Sequence, residues 1–294
     1  MELKHYMQQI CQQIDSAMLT LLPAKQQRPA QLHEAMHYSV FAGGKRIRPI
    51  LMLASCEAVG GKIERAIPAA CAMEMIHTYS LIHDDLPAMD DDDFRRGQPT
   101  NHKVYGEATA ILAGDALLTQ AFITLSAPNS AVDAITQQRV VEIMAQAAGA
   151  AGMVGGQVVD MESEGKTPDL DTVNYIHRNK TGALILASIQ CGALLGGADQ
   201  KTFADLTLFG ESAGLAFQIA DDILDIVGDQ EQLGKDIGSD QQRGKATYPA
   251  VLGLEASQQK MTELHLDALN ILSKYGSQAE PLRQISEYII NRST

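Results

Sequence analysis

The sequence predicts an all-α protein, a single domain of ten or more helices spanning residues 1–294. Alanine, leucine, methionine and glutamine are abundant, aromatic residues make up 5% and tryptophan is absent, and this composition favours helices. Apolar residues recur at the spacing of amphipathic helices, and no segment shows the alternation typical of strands. No linker and no internal repeat divides the chain.

The charge and the cysteines restrict the possible partners and the compartment. The formal net charge of -13 and the pI near 5.0 argue against nucleic acid, which requires a basic face. An anionic substrate is compatible if basic residues cluster locally and a metal supplies further positive charge. The four cysteines lack CxxC spacing, which predicts buried thiols in a reducing compartment. The N-terminus lacks a signal pattern, and the longest apolar run, Gly182–Ala198, is short for a membrane span. We expect a cytoplasmic protein without a membrane span.

The N-terminal elements lead to a basic segment. Residues 1–22 predict an amphipathic helix that ends before Pro23, and a second helix is expected over Ala30–Phe41. A mitochondrial presequence is the alternative for the first helix, but it contains acidic residues and no arginine. The segment Gly43–Pro49 reads GGKRIRP, and Lys45 and Arg48 would share a face if a helix begins here. Its glycines would allow a diphosphate to approach backbone N–H groups; the alternative is a surface turn.

The next two helices are predicted over Ile50–Val59 and Pro68–Asp85. His77, Ser80 and Asp84 lie on one stripe of the second of these helices. His77 is either a structural histidine or, because it lies two turns before Asp84, a contact for a diphosphate.

A dense aspartate cluster follows, in the segment LIHDDLPAMDDDDFRRG. Six aspartates occupy ten residues and two arginines come next. A solvated loop is the alternative explanation, but the cluster ends an apolar helical run. Carboxylates this close repel one another unless cations lie between them, and oxygen ligands of this kind suit Mg²⁺. The arginines are suited to binding phosphate.

The proline inside this cluster predicts a bend. Asp84 and Asp90 are six residues apart, about 240° around an ideal helix, so they face different directions if the helix continues. Pro87 lacks an amide donor and clashes with the carbonyl of His83, which should turn the chain and return Asp90 towards Asp84.

Helices are then predicted over Glu107–Ser126 and Ala131–Ala150. Glycines at 149, 152, 155 and 156 indicate close helix–helix approach rather than a nucleotide loop, since no strand precedes them. Gln157 and Asp160 are expected to border a cavity.

The C-terminal half carries a second aspartate motif. Helices are predicted over Asp171–Asn179 and Gly182–Leu195, with a break at Lys180-Thr181 that can present polar groups to a ligand. A long helix over Lys201–Val227 follows, and it places four polar residues on one face at i, i+3, i+4 and i+7: Gln218, Asp221, Asp222 and Asp225. Three carboxylates on an apolar helix indicate a shared cation; an exposed polar face is the alternative.

The remainder is predicted as a polar loop and covering helices. Lys235 and Lys245 lie in the loop Gln230–Lys245 and could close over a diphosphate, although a simple solvated loop would have the same composition. Two or three helices are expected over Tyr248–Asn291.

These motifs, in this order, resemble those of the trans-prenyl diphosphate synthases, most closely the bacterial short-chain enzymes that make farnesyl diphosphate. The resemblance rests on DDLPAMD with its RRG, on DDILD, and on the flanking segments GGKRIRP, GMVGGQ, KTGAL and GKD. It covers nearly the whole chain. It implies an isoprenoid-synthase-type fold with a deep central cavity, the two aspartate motifs facing each other across its mouth, and a homodimer.

The resemblance also implies a reaction and a set of site residues. Isopentenyl diphosphate condenses head-to-tail with an allylic diphosphate, dimethylallyl and then geranyl, with two to three Mg²⁺ ions (or Mn²⁺). The implied metal ligands are Asp84, Asp85, Asp90, Asp221, Asp222 and Asp225. The implied contacts of isopentenyl diphosphate are Lys45, Arg48, His77 and Arg96, and those of the allylic diphosphate are Arg95, Lys180 and Lys235. Lys245 is a further implied substrate-binding residue. Thr181 and Gln218 would direct oxygen dipoles at the allylic cation, beside Lys180. No side chain is indicated as a dedicated base, so the released diphosphate is expected to take the proton.

Product length is expected to depend on two residues before the first motif. Tyr79 and Ser80 lie five and four residues before Asp84, roughly 6–7.5 Å along the helix. A ring at Tyr79 would form a floor under the growing chain, which predicts a fifteen-carbon product. Geranyl and geranylgeranyl diphosphate are the alternatives, and Tyr79 could instead be an ordinary core aromatic.

Two other functions share part of this pattern. A terpene cyclase has aspartate-rich motifs but needs no second diphosphate site at Lys45, Arg48 and Arg96. A non-catalytic partner subunit is expected to have lost one aspartate motif, and both are intact here.

Overall fold

The computed structural model describes residues 2–227 and 245–291, without the side chain of Asn291. The all-α fold with ten or more helices is confirmed: fourteen α-helices lie in the described residues, with one short hairpin. The helices are α1 (Leu3–Leu21), α2 (Ala30–Val40), α3 (Ile47–Ala58), α4 (Ile67–Asp84), α5 (Asn101–Tyr105), α6 (Glu107–Ser126), α7 (Ala134–Ala148), α8 (Met153–Ser163), α9 (Leu170–Ile176), α10 (Ala183–Gly196), α11 (Gln200–Val227), α12 (Tyr248–Leu252), α13 (Leu254–Leu272) and α14 (Glu280–Asn291). The remaining elements are a π-helix (His177–Gly182), two 3₁₀ turns (Ile63–Arg65 and Ser277–Ala279), and the strands β1 (Phe94–Arg95) and β2 (Gln98–Pro99).

The contacts within the chain define two compact units. Unit 1 comprises Met1–Leu53 and Ile63–Val141, and unit 2 comprises Ala54–Lys62 and Glu142–Thr294. The first aspartate motif belongs to unit 1 and the second to unit 2. A single domain over the whole chain stays a prediction.

Unit 1 is built around α4. This helix buries residues on all sides, including Cys71, Met73, Met75 and Ile76, and it packs along α6 and against α1. The apolar residues of α1 recur with helical spacing and are buried at Tyr6, Ile10, Ile14 and Met18. Burying a side chain of this size contributes about 1.5–3 kcal/mol, so this packing fixes α4 and therefore the position of Asp84 at its end.

The helix α6 is the one described helix long and apolar enough, by length and composition alone, to cross a membrane. The expectation of no such segment rested on Gly182–Ala198 and overlooked α6. Its small residues Ala110, Ala113 and Gly114 are fully buried, and the helix packs along α4. One face of α6 is therefore core.

Unit 2 is organised by α11, which packs against α10, α13 and the π-helix. A buried apolar cluster joins α9, α11 and the start of α12; its members are Val173, Ile176, Leu215, Ile219, Ile223, Ala246 and Tyr248. This cluster packs α11 against α9 and the start of α12, and so holds the helix that carries the second aspartate motif in place.

The predicted close approach of α8 to a neighbour is confirmed at one glycine. A Cβ on Gly156 would lie 2.2 Å from the backbone nitrogen of Lys180, so only glycine allows the two helices to touch there. The other three glycines meet carbonyl groups of their own chain segment.

Two predicted features of the chain were wrong, and one feature was missed. Lys45 precedes α3 and does not share a helical face with Arg48, because left-handed backbone at Gly43, Gly44 and Arg46 delays the helix to Ile47. No break separates α9 from α10: a π-helix carries the chain through Lys180 and Thr181. The β1–β2 hairpin was not predicted, since strands of two residues are too short to show alternation.

Candidate active site

The first aspartate motif sits on a turn that closes α4. The helix ends at Asp84, and the amide of Asp90 donates to the carbonyl oxygen of Asp84 at 2.8 Å. The amide of Asp91 returns to the carbonyl of Leu86 at 3.1 Å. Both Asp84 and Asp90 are half-buried, while Pro87 is exposed. The predicted bend at Pro87 is confirmed, and it brings the two aspartates together.

Asp85 differs from its neighbour Asp84, because it is buried, with 3% of its surface exposed. Its Oδ1 accepts from Arg95 Nε at 2.6 Å and Nη2 at 2.5 Å. Burial raises the pKa of Asp85, and the hydrogen bond from Arg95 only partly offsets this. Arg95 lies on β1 and so reaches back across the turn. The structure therefore binds Asp85 Oδ1 to an arginine of the same motif.

The basic segment before α3 contains one structural arginine. Arg46 is 5% exposed and donates to Glu74 at 2.8 Å, to Asp15 at 3.0 Å and to the carbonyl of Val40 at 2.6 Å. These bonds hold the segment against α4, which carries Glu74. Sequence reasoning did not distinguish Arg46 from Lys45 and Arg48, because its burial depends on residues far along the chain.

Arg96, in the turn between β1 and β2, packs against this segment. Its Nη1 donates to the carbonyl oxygen of Gly43, and a Cβ on Gly44 would lie 2.5 Å from its guanidinium carbon. Gly44 has a φ of +120°, so a side chain there would be both strained and in collision. In the structure the two glycines make room for the guanidinium of Arg96. The predicted approach of a diphosphate to their backbone N–H groups stays a prediction.

His77 joins these cations. Arg48 Nη1 lies 3.2 Å from His77 Nε2, and arginine can only donate, so Nε2 accepts and Nδ1 carries the proton. Burial lowers the pKa of His77 well below 6.5, and the charges of Arg48 and Arg96 lower it further. Unit 1 thus brings together Arg48, His77 and Arg96, with Lys45 exposed on the same segment. A group of cations around a neutral histidine suits a diphosphate.

The two predicted chain-length residues differ in burial. Tyr79 is 7% exposed and makes an edge-to-face contact with His83 at a centroid distance of 5.7 Å. His83 lies against Gly114 of α6 and contacts the carbonyl of Ile111 at 3.0 Å. Ser80 is partly buried and donates to the carbonyl of His77. Tyr79 is thus held by His83, a neighbour one turn closer to Asp84.

In unit 2 the second motif shows the same division between its first two aspartates. Asp221 is half-buried and accepts from Gln218 Nε2 at 3.3 Å, and Asp225 is also half-buried. Asp222 is 6% exposed, and its Oδ2 contacts His177 Nε2 at 2.7 Å and accepts from the backbone amide of Tyr248 at 2.8 Å.

The π-helix positions the predicted Lys180-Thr181 pair. Lys180 Nζ donates to Asp160 Oδ2 at 2.6 Å, and Asp160 is buried on α8. Asp160 thus contacts a predicted site residue, and the prediction that Gln157 and Asp160 border a cavity stays a prediction. Thr181 and Gln218 are partly buried. π-Helices occur frequently at functional sites, because the extra residue per turn displaces side chains from the regular pattern.

Two residues with close contacts to the second motif were not singled out from the sequence. They are His177, three residues before Lys180, and Tyr248 at the start of α12. The i, i+3 spacing of His177 and Lys180 could have indicated His177, whereas Tyr248 contacts Asp222 through its backbone amide, which leaves no signal in the sequence. Lys235 lies outside the described residues. Lys245 is partly buried and precedes Tyr248 by three residues.

Carboxylates at both motifs have the chemistry that Mg²⁺ prefers. No group of three or more His, Cys, Asp or Glu side chains that could hold a metal is found in residues 2–227 and 245–291. Mg²⁺ in enzymes of phosphate chemistry is usually held by one or two carboxylates together with substrate phosphates. Asp84 and Asp90 supply such a pair in unit 1, and Asp221 and Asp225 do so in unit 2.

The comparisons with known proteins identify the family. The family model for polyprenyl synthetases matches residues 29–289. This chain belongs to the polyprenyl synthetase family. A farnesyl diphosphate synthase of Geobacillus stearothermophilus is 54% identical over 241 residues, which cover 82% of this chain and 81% of that protein. A geranylgeranyl diphosphate synthase of Cyanophora paradoxa is 49% identical, covering 90% and 89%.

A solved structure agrees with this assignment. The FPP/GFPP synthase of Zymomonas mobilis has a TM-score of 0.87 at 39% identity, and the match covers 98% of both chains. The polyprenyl synthetase chain described here is therefore a trans-prenyl diphosphate synthase with the isoprenoid synthase fold. It is a prenyltransferase of isoprenoid biosynthesis, and its family uses isopentenyl and allylic diphosphates. Its relatives differ in the product that their names state.

Proposed function

We propose that this synthase condenses isopentenyl diphosphate with dimethylallyl and then geranyl diphosphate and releases farnesyl diphosphate. The observation that carries the product length is Tyr79. Its ring is buried within one turn or so of Asp84 and is held in place by His83. A ring at this depth limits the length of the chain that can extend along α4.

The chemistry assigned to this chain is charge neutralisation followed by carbon–carbon bond formation. Mg²⁺ held by Asp84, Asp90, Asp221 and Asp225 would neutralise the departing diphosphate. Lys180 adds a fixed cation to the allylic side, where the carbon–oxygen bond breaks and diphosphate leaves. Thr181 and Gln218 turn oxygen dipoles to the allylic cation. The double bond of isopentenyl diphosphate then forms the new carbon–carbon bond, and the released diphosphate takes the proton that is lost.

Isopentenyl diphosphate is assigned to the cations of unit 1. Arg48 contacts neutral His77, the charge of Arg96 acts on the same ring, and Lys45 is exposed on the same segment as Arg48. Gly43 and Gly44 are exposed, so a diphosphate can reach this segment beside Arg96.

The test of product length is a pair of opposite substitutions. The parent protein with isopentenyl and geranyl diphosphates and Mg²⁺ should yield the fifteen-carbon diphosphate by chromatography. Tyr79→Ala should deepen the space and give longer products, whereas Ser80→Phe should fill it and favour the ten-carbon product. Unchanged product lengths in both active variants would place the floor elsewhere.

The same incubation separates the rival functions. A terpene cyclase would consume the allylic diphosphate without isopentenyl diphosphate and give a hydrocarbon or alcohol. A non-catalytic subunit would give no product. A geranyl or geranylgeranyl synthase would give a ten- or twenty-carbon diphosphate.

We further propose a homodimer in a reducing, cytoplasmic setting. All four cysteines are free thiols, with Cys11 partly buried and the other three buried.

Leu112 and Ile123 of α6 are 57% and 55% exposed and lie eleven residues apart, on one helix face. A second copy covering this face would bury it. Light scattering should give twice the mass of 31.7 kDa, and Leu112→Glu should yield monomer. Binding to lipid vesicles by a monomeric parent protein would instead indicate a membrane surface.

A further inference from the structure

Asp222 has two hydrogen-bond partners that belong to different elements of unit 2. Its Oδ2 contacts the Nε2 of His177 on the π-helix at 2.7 Å. The same oxygen accepts from the backbone amide of Tyr248, at the first residue of α12, at 2.8 Å. One carboxylate oxygen therefore joins α11, the π-helix and α12.

The three residues form a closed buried group. The rings of His177 and Tyr248 stack with centroids 5.5 Å apart at 21°, and the Tyr248 hydroxyl donates to the Asn174 side chain of α9. His177 is 4% exposed and Tyr248 is 2% exposed. Polar groups that are buried in this way are held by their hydrogen bonds, since losing one partner leaves the other unsatisfied.

This group is close in sequence to two residues of unit 2 that the proposed reaction uses, Asp221 and Lys180. Asp221, adjacent to Asp222, is assigned to the metal, and Lys180 follows His177 by three residues in the π-helix. We infer that His177 and Asp222 are positioning residues: Asp222 binds His177 and Tyr248 rather than the metal, and the pair fixes Lys180 and Asp221 in register. This inference rests on the proposed function.

The chemistry of an asparagine at position 222 separates positioning from metal binding. An amide oxygen can accept both hydrogen bonds that Oδ2 receives, but an amide is a poor ligand for Mg²⁺ compared with a carboxylate. Asp222→Asn should therefore retain the positioning role, whereas Asp221→Asn should lose metal affinity.

The first experiment measures Mg²⁺ binding without turnover. Mg²⁺ is titrated in the presence of inorganic diphosphate, and the rise of the melting temperature is recorded. Asp222→Asn should need the same Mg²⁺ concentration as the parent to within about twofold. Asp221→Asn should need a Mg²⁺ concentration that is at least about tenfold higher. An equal increase for Asp222→Asn would overturn the inference, because Asp222 would then bind the metal itself.

The second experiment measures kinetics. His177→Phe retains the ring stacked on Tyr248 and loses the donor to Asp222, so kcat should fall about 10- to 100-fold. The KM for isopentenyl diphosphate, assigned to unit 1, should stay within about twofold of the parent. His177→Gln has an amide donor and should recover most of kcat.

A matched control is available in the same unit. His265 is also buried, at 7% exposure, and its Nδ1 lies 3.0 Å from Ser286 Oγ. His265→Phe should lower the melting temperature but leave kcat unchanged at temperatures well below it. If His177→Phe behaves like His265→Phe, its role is only structural and the inference is wrong. If the parent forms no prenyl product, the proposed function fails, and the metal titration still tests the role of Asp222.

Discussion

The two aspartate motifs can be compared residue by residue. Each begins with an Asp-Asp pair, and in each the second carboxylate is buried, Asp85 at 3% exposure and Asp222 at 6%. The first carboxylate of each pair, Asp84 or Asp221, is half-buried. Identical residues in the sequence therefore have two environments, and we expect the more accessible member of each pair to be the metal ligand.

The motifs differ in what holds the buried carboxylate. Asp85 pairs with Arg95, a cation only ten residues further along the same motif. Asp222 is held by a histidine 45 residues earlier and by a backbone amide 26 residues later. The first motif thus contains the partner of its buried carboxylate, whereas the second motif depends on the folding of unit 2 to bring the partners of Asp222 together. We expect the first to respond to local substitutions and the second to substitutions in distant elements.

The largest expected effect falls on the accessible carboxylates of both motifs. Asp84→Ala and Asp221→Ala should each cost several kcal/mol of transition-state stabilisation, about a thousandfold in rate or more, because metal-assisted neutralisation of the leaving group is lost. Steady-state kinetics and the loss of turnover on chelation would check this. Full activity in excess chelator would show that the carboxylates act without metal.

The next effect concerns the buried pair of the first motif. Arg95→Ala leaves the Asp85 carboxylate buried without its cation and should destabilise the protein by about 2–3 kcal/mol. This is less than we would expect for a fully buried pair, because Arg95 is partly solvent-exposed. Denaturant unfolding measures this. The double variant Arg95→Ala, Asp85→Ala should recover part of the loss, and strictly additive losses would show that the pair is not coupled.

A smaller effect tests the proposed assignment of one diphosphate to each unit. Arg96→Ala should raise the KM for isopentenyl diphosphate about tenfold, as the loss of one charged hydrogen bond would. Lys180→Ala should act mainly on the allylic partner. Initial rates with each substrate varied in turn would test the split, and equal changes in both KM values would make the assignment wrong.

The smallest effect is the pH dependence contributed by His77. Its folded pKa lies below 6.5, because burial and the charges of Arg48 and Arg96 disfavour the protonated form. Above pH 6.5 both folded and unfolded states are neutral, so its contribution to stability is complete. As the pH falls below 6.5 the unfolded state takes up a proton and the folded state does not, so stability falls by up to about 1.4 kcal/mol per pH unit.

Unfolding free energies at pH 7.5 and 5.5 would measure the His77 contribution, and His77→Asn should flatten the profile. His265 is a useful reference, because its pKa is also lowered by burial but without the arginines. His265→Asn should flatten the profile less. A steeper profile in His77→Asn than in the parent would contradict the sign of this prediction.

Much of the fold could be predicted because it depends on local pattern. The bounds of α1, α4, α6 and α11 agree with the predicted helices to within a residue or two. The bend at Pro87 follows from the lost amide donor, and the contact of Gly156 with Lys180 follows from the absence of a side chain. The hairpin and the π-helix were missed, since strands of two residues and a single wide turn leave no periodicity to detect.

The sequence by itself determined which residues are charged, in what order they occur and which helix face they share. It placed Asp84, Asp85, Asp221 and Asp222 in two equivalent pairs, with no distinction inside either pair. Only the tertiary structure decided that one member of each pair is buried and hydrogen-bonded, because burial depends on what packs against a side chain, and the partners of Asp222 come from helices far along the chain. A local pattern is set by adjacent residues, whereas the environment of a carboxylate is set by every element that surrounds it.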